Sequence, residues 1–215
     1  MYNITLICTV HAELGKCTSN ELYRFIDKIQ PEIIFDEIPP SRYNAYFIEQ
    51  TVTTLETDTI KMYLGYNNCK IIPVDSYEFS EIQKGDMDYN IISNNSIEYY
   101  NLCKEQFSMI IDHGFEYVNS TQNMELIERL QTIEKDVLKN TDDVKLFENF
   151  KLWYKITDNR ENDMLKNIYD YSANHSYNNA VFFIGAEHKK SIMKKIQGYE
   201  TKNGLKLNWN YNIYK

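Results

Sequence analysis

The sequence predicts an α/β fold, a mostly parallel central sheet flanked by helices with a helical insertion or cap in the middle of the chain. Three observations predict it. Short apolar runs rich in β-branched and aromatic residues alternate with amphipathic stretches as far as Asp75. Residues 91–173 carry helical periodicity without a strand signal. The chain then closes on a strand, a helix and a strand. Alternation of this kind implies right-handed crossovers between parallel strands. At 215 residues the chain fits a single α/β domain, 1–215, with 91–173 as a helical layer or cap within it.

Asn3 to Val10 reads as the first strand, with His11 just beyond it. Thr18-x-x-Glu21 has the form of a capping box, and Leu22, Phe25, Ile26 and Ile29 give the next helix an apolar stripe that Pro31 ends. Glu32-Ile33-Ile34-Phe35-Asp36 is the second strand; Glu37 follows, and Pro39-Pro40 turns the chain out of the sheet. A helix is expected from about Ser41 to Leu64, although Thr51-Val52-Thr53-Thr54 is poor helix material. Lys70-Ile71-Ile72-Pro73-Val74 makes a short third strand ending at Asp75, its proline favouring an edge or a strand terminus.

Residues 77–90 are polar and read as a long loop. Ile92 to His113 reads as one helix carrying apolar residues at Ile97, Tyr100, Phe107 and Ile111, closed by Gly114. Met124–Leu138 and Val144–Ile156 are two further helices, and Asp158-x-x-Glu161 has the form of a cap starting another that runs to about Ala173. Ala180-Val181-Phe182-Phe183-Ile184 is the spacing of a strand buried on both faces, and Gly185 ends it. His188 follows, then a basic amphipathic helix closed by Gly198. Asn203-Gly204 signals a turn, and Leu205 to Tyr211 a last strand at an edge.

A net charge of −8 argues against a nucleic-acid partner, so the basic residues of 189–195 read as a solvated helix face. No apolar run approaches a membrane span and no basic-then-apolar leader precedes the first strand, so a cytoplasmic protein without a membrane partner is expected. Cys8, Cys17, Cys69 and Cys103 show no C-x-x-C spacing and read as reduced thiols.

Four predicted strands end in His11, Glu37, Asp75 and His188. Parallel strands bring such ends to one edge, where open α/β sheets build their sites. Imidazole and carboxylate together are the ligand set of a divalent transition metal, which would supply hydroxide at neutral pH. Without a metal, the same groups serve as general base and acid. Each residue singly has a plainer role: a loop hydrogen bond for either histidine, solvation of a strand end for Glu37, a loop cap for Asp75. Glu13 and Glu187 flank the two histidines and read mainly as solvated; His113 and His175 fall at a helix end and in a polar loop.

At these residues the chain resembles the superfamily of TraB, TIKI, ChaN and erythromycin esterase-like proteins. That family's second G-x-x-H motif stands intact as Gly185-Ala186-Glu187-His188, and its first is similar to Cys8-Thr9-Val10-His11 with Cys for Gly. Glu37 with Arg42 behind it resembles the TraB-like glutamate and arginine, Ile72-Pro73-Val74-Asp75 the next strand with its acidic end, and Arg160-Glu161-x-x-Met164 the R-x-x-x-M helix of the esterase-like branch. The resemblance implies an α/β fold with its site at the strand ends. It implies metal-dependent peptide hydrolysis in TIKI-like members, ester or lactone hydrolysis in the esterase branch, iron or haem handling in ChaN-like members, and regulation of peptide pheromones in TraB-like members.

The resulting expectation is a hydrolase acting on an ester, amide or peptide bond of a small molecule or peptide. His11, Glu37 and His188, with Asp75, would hold Mn, Co or Zn or activate water. Arg42 and Arg160 would neutralise an oxyanion or a substrate carboxylate, with a salt bridge to Glu37 or Asp75 as their alternative role. The rival readings are a non-catalytic protein that sequesters a small molecule, peptide or metal, supported by the absence of a nucleophile motif such as G-x-S-x-G, and an inactive relative acting through a protein partner.

Overall fold

The computed structural model describes residues 2–76, 89–141 and 143–213, with backbone alone at 89–90 and 201–203. Five parallel strands form one sheet in the order β3-β2-β4-β1-β5. They are β1 (Asn3–Thr9), β2 (Ile33–Asp36), β3 (Lys70–Pro73), β4 (Asn179–Gly185) and β5 (Asn208–Asn210). The α/β fold is therefore as expected, and both strands expected at edges are there. Pro73, which has no N–H to give a second neighbour, sits on edge strand β3.

β1 and β4 carry the densest apolar runs and lie side by side near the middle, each buried over its last six residues. Ile4, Leu6, Ile7, Val181, Phe182, Phe183 and Ile184 have no exposed surface. Register then fixes where functional groups fall. Thr9 is level with Gly185, and Asp36 with Phe183, so Glu37 emerges beside the carboxyl end of β4.

The chain leaving β2 runs outward to β3, whereas the chain leaving β4 crosses to β5 at the opposite edge. Diverging connections of this kind open a crevice at the carboxyl ends of the two strands. Helices α1 (Ser19–Ile29) and α2 (Leu55–Leu64) join the main core through Leu22, Phe25, Ile26, Leu55 and Ile60.

Between β3 and β4 come α3 (Tyr89–Asn95), α4 (Ile97–His113), α5 (Phe115–Val118), α6 (Thr121–Lys139) and α7 (Val144–Asn174). They build a second apolar cluster of Ile92, Tyr99, Leu126, Leu130, Leu138, Leu146 and Phe150. The second half of α7 leaves it, placing Met164, Leu165 and Ile168 in the sheet core. With Ile110 of α4 and Phe115, Tyr117 and Val118 of α5, it ties the helical layer to the sheet. Among the described residues no helix is long and apolar enough to cross a membrane.

Four expectations are corrected. The helix expected over 41–64 is a 3₁₀ turn at Pro40–Arg42, a wide turn at Asn44–Ile48 and then α2, which begins only after Thr54. Thr54 and Thr57 form a reciprocal capping box, the hydroxyls of a threonine-rich stretch serving a helix start better than its interior. The helix expected over 92–113 breaks at Ser96, whose side chain caps α4, and its inward face is Tyr99 and Ile110, leaving Ile97, Tyr100 and Phe107 exposed. Asp158 starts no helix, because α7 runs unbroken from its Asp143 cap. Asp158 and Glu161, one turn apart, both pair with Lys195 at 2.7 and 2.9 Å. The basic helix α8 (Lys189–Asn203) runs past Gly198 and ends at Gly204. The loop expected at 77–90 falls largely outside the described residues.

Two glycines test the packing in opposite directions. Gly15 has a φ of +55°, and a Cβ there would lie 2.3 Å from the Ile111 Cα. Gly15→Ala is expected to cost about 2–4 kcal/mol. Gly198 has open space around it inside α8, so Gly198→Ala should gain about 0.5–1 kcal/mol. Urea unfolding of both variants checks this; equal effects would contradict the positions given to α4 and α8.

Candidate active site at the strand ends

β1 delivers His11 through a strained turn. Its φ is +59°, uncommon for a residue with a side chain, and the Ala12 N–H bonds back to the Val10 carbonyl at 2.8 Å. The start of α2 holds this turn in place: the Leu55 N–H donates to the His11 carbonyl at 3.1 Å. One residue on, Glu56 lies buried in the first turn of α2, with its carboxylate 2.9 Å from His11 Nδ1. The Thr9 hydroxyl donates to the same oxygen. The His11 side chain remains about half exposed at 55%.

β2 delivers Glu37. Its Oε2 accepts the Gly185 N–H at 2.6 Å, and its Oε1 accepts from Arg160 Nη2 at 2.8 Å and lies 3.3 Å from His188 Nε2. β3 delivers Asp75, which takes Arg160 through Nε at 3.2 Å and Nη2 at 2.9 Å. Arg160 comes from α7, which is fastened to the strand ends by Asn167 donating to the Val74 carbonyl at 2.8 Å. The next residue on α7, Glu161, holds His188 Nδ1 at 2.8 Å, and also accepts from Ser191 and Lys195.

Gly185 is where glycine is needed for close approach. A Cβ there would lie 3.0 Å from His11 Nε2 and 3.5 Å from Glu37 Oε2. His11 Nε2 therefore faces the β4 terminus beside Glu37, while His188 meets Glu37 directly. The expected convergence of His11, Glu37, Asp75, His188 and Arg160 is present. Arg160 plays its salt-bridge role toward both acids, and Arg42 closes the half-buried turn after β2.

The electrostatics follow from this pairing. The Glu56 hydrogen bond raises His11 to about 9, with burial opposing. Burial disfavours the His188 cation, but Glu37 and Glu161 outweigh it and raise it to about 10. Burial would also raise Glu37, yet His188, His11 and Arg160 hold it well below the usual carboxylate range. Behind them Asp36 is buried, its Oδ2 without a hydrogen-bond partner among the described residues, and burial next to Glu56 pushes it up to about 8. Burial pushes the Cys8 thiol up to about 12, which disfavours its thiolate. Its backbone is held from both sides by the Asn119 side chain, at 2.8 and 3.0 Å, where β5 no longer accompanies β1.

Of the residues expected as metal ligands, Glu37 and Asp75 face Arg160, and His11 and His188 face buried acids. Arg160 lies between Glu37 and Asp75, and the Nδ1 atoms of both histidines are taken by carboxylates. Among the described residues no group of three or more His, Cys, Asp or Glu side chains is placed to hold a metal ion. Compared with protein-family models, with curated proteins and with solved structures, the chain finds no match. Its site is therefore read from its own residues.

Glu56 and Glu161 are the members that sequence reasoning did not assign to the histidines. Glu56 fell inside the helix expected over 41–64, and Glu161 was read as half of a cap. The residues flanking the histidines do other work: Glu13 accepts from Ser19 N–H and hydroxyl at 2.8 Å, capping α1, and Glu187 is exposed. His113 ends α4, and His175 stacks on Tyr171 at the end of α7.

Because His188 is protonated more readily folded than unfolded, its stabilisation is complete below about pH 6.5 and is lost as pH rises through about 10. Unfolding free energy, measured by urea denaturation from pH 6.5 to 10, should fall more steeply in the wild type than in His188→Gln. Parallel profiles would contradict the charged state given to His188.

Proposed function

We propose that the strand-end cluster is the active site of a hydrolase in which His11 activates water against an ester, amide or peptide bond. The observation that carries this reading is the pair of imidazoles flanking Glu37, each clamped at Nδ1 by its own buried carboxylate. Such a clamp fixes the tautomer and leaves Nε2 for proton transfer.

His11 is the better base of the two. It is half exposed, and its Nε2 lies close beside Gly185, whereas both nitrogens of buried His188 are engaged by acids. Neutral His11 takes a proton from water through Nε2 as the water oxygen bonds to the scissile carbonyl carbon. Glu56 stabilises the imidazolium that results. The carbonyl oxygen gains negative charge, offset by charged His188 and Arg160, which are already fixed in place by Glu161, Glu37 and Asp75. The His11 proton then passes to the leaving oxygen or nitrogen as its bond to carbon breaks.

Screening aryl esters, lactones and short peptides tests the reading. His11→Ala should lower kcat/KM on the order of 10²–10⁴-fold, and treatment with EDTA or addition of Mn²⁺, Co²⁺ or Zn²⁺ should leave it unchanged. Turnover that depends on one of these metals would favour a metal-dependent hydrolase instead. Saturable binding without product would favour a sequestering protein.

The pH profile is a sharper test. Since the working base is neutral His11, kcat/KM should rise about tenfold per unit toward pH 9. In Glu56→Gln the rise should move toward about pH 6.5, with a lower plateau. A profile that does not move would remove Glu56 from its role.

A further inference from the structure

Against the helical layer the protein holds a cavity of about 670 Å³, within the range of small-molecule sites. Its walls come from α3, α4, α6, α7 and the turn into α8, and His188 and Glu161 belong to them. The cavity therefore abuts the strand-end cluster and shares these two side chains with it.

Its chemistry is uneven. Tyr99, Trp153 and Tyr154 supply aromatic surface. Glu134 is buried at 8% exposure, and among the described residues its hydrogen-bond partner is the Tyr99 hydroxyl, 2.9 Å away, a neutral donor. The other acids of the wall are provided for. Glu128 pairs with Lys190 at 2.5 Å, Asp158 and Glu161 with Lys195, and Glu187 is exposed to water. Lys194 also lines the cavity from an exposed position on α8. The buried Thr157 hydroxyl oxygen has no hydrogen-bond partner among the described residues.

A carboxyl removed from water without a cation is costly, and burial accordingly raises Glu134 to about 7. An arriving cation would stabilise its ionised form. Aromatic faces beside it favour the same kind of ligand, since ring quadrupoles attract organic ammonium groups. A hydrated inorganic cation would make no use of the apolar wall.

We propose that this cavity binds a small organic amine, with its ammonium on Glu134, its apolar body against Trp153 and Tyr154, and a polar group on the Thr157 hydroxyl. The site stands independently of the hydrolytic reading. It shares His188 and Glu161 with the strand-end cluster, so its occupancy bears on that cluster from behind.

Calorimetric titration with phenethylamine and N-acetylphenethylamine tests this on the full chain. The acetylated probe keeps the aromatic body and loses the charge. The amine should bind saturably and at least tenfold more tightly than its acetyl derivative. Glu134→Gln, which can still accept from Tyr99, should bring the two probes to equal affinity, whereas Glu128→Gln should leave the preference intact. No saturable amine binding, equal affinities in the wild type, or an unchanged preference in Glu134→Gln would overturn the proposal. If Glu134→Gln fails to fold, the wild-type comparison decides by itself.

Discussion

The carboxylate of Glu37 is the constraint on which the strand-end architecture depends. One oxygen accepts the backbone N–H of Gly185, so the acid is fixed to the end of the neighbouring strand. The other faces Arg160 and His188, joining the ends of β2 and β4 to α7. Arg160 extends the link to Asp75 at the end of β3. A buried anion of this kind is tolerated only when paired and hydrogen-bonded, and removing a partner would leave uncompensated charge. The register that puts Asp36 level with Phe183 is what makes the pairing geometrically available.

Around that anion the protein accepts local strain and like-charge crowding. His11 holds a left-handed φ, Gly185 gives up a side chain to admit the imidazole, and among the described residues Asp36 and Glu56 each keep a buried carboxyl oxygen without a hydrogen-bond partner. None of these features is favoured by folding alone. They persist because β1 and β4 bury their apolar runs on both faces and α2 and α7 clamp the edge from above. The well-packed sheet beneath holds this unfavourable geometry in place.

The strands and the residues at their ends were legible because both follow local rules. A continuous β-branched and aromatic run has few alternatives to a buried strand, and parallel strands send their carboxyl ends to one edge. The partners were not legible, because they depend on where helices begin and how they cross the sheet. Glu56 reaches His11 only because α2 starts at Leu55, a boundary set by the Thr54–Thr57 box. Glu161 reaches His188 because α7 runs unbroken past Asp158, so an apparent cap became an acidic pair for Lys195. In α4 the apolar residues Ile97 and Phe107 misled, since the helix packs through Tyr99 and Ile110. Helical periodicity there was too weak to choose a face without knowing the partner.

The central claim is that His11 and His188, remote in sequence, answer to the same carboxylate. Histidine-selective ¹⁵N NMR titration of the four imidazoles tests it most directly, in the wild type and in Glu37→Gln. The account predicts that the His11 and His188 rings titrate near pH 9 and 10, and that both move to lower pH when Glu37 loses its charge. Ordinary titrations of His11 and His188 near pH 6.5, or a Glu37→Gln variant in which only one of the two responds, would contradict it.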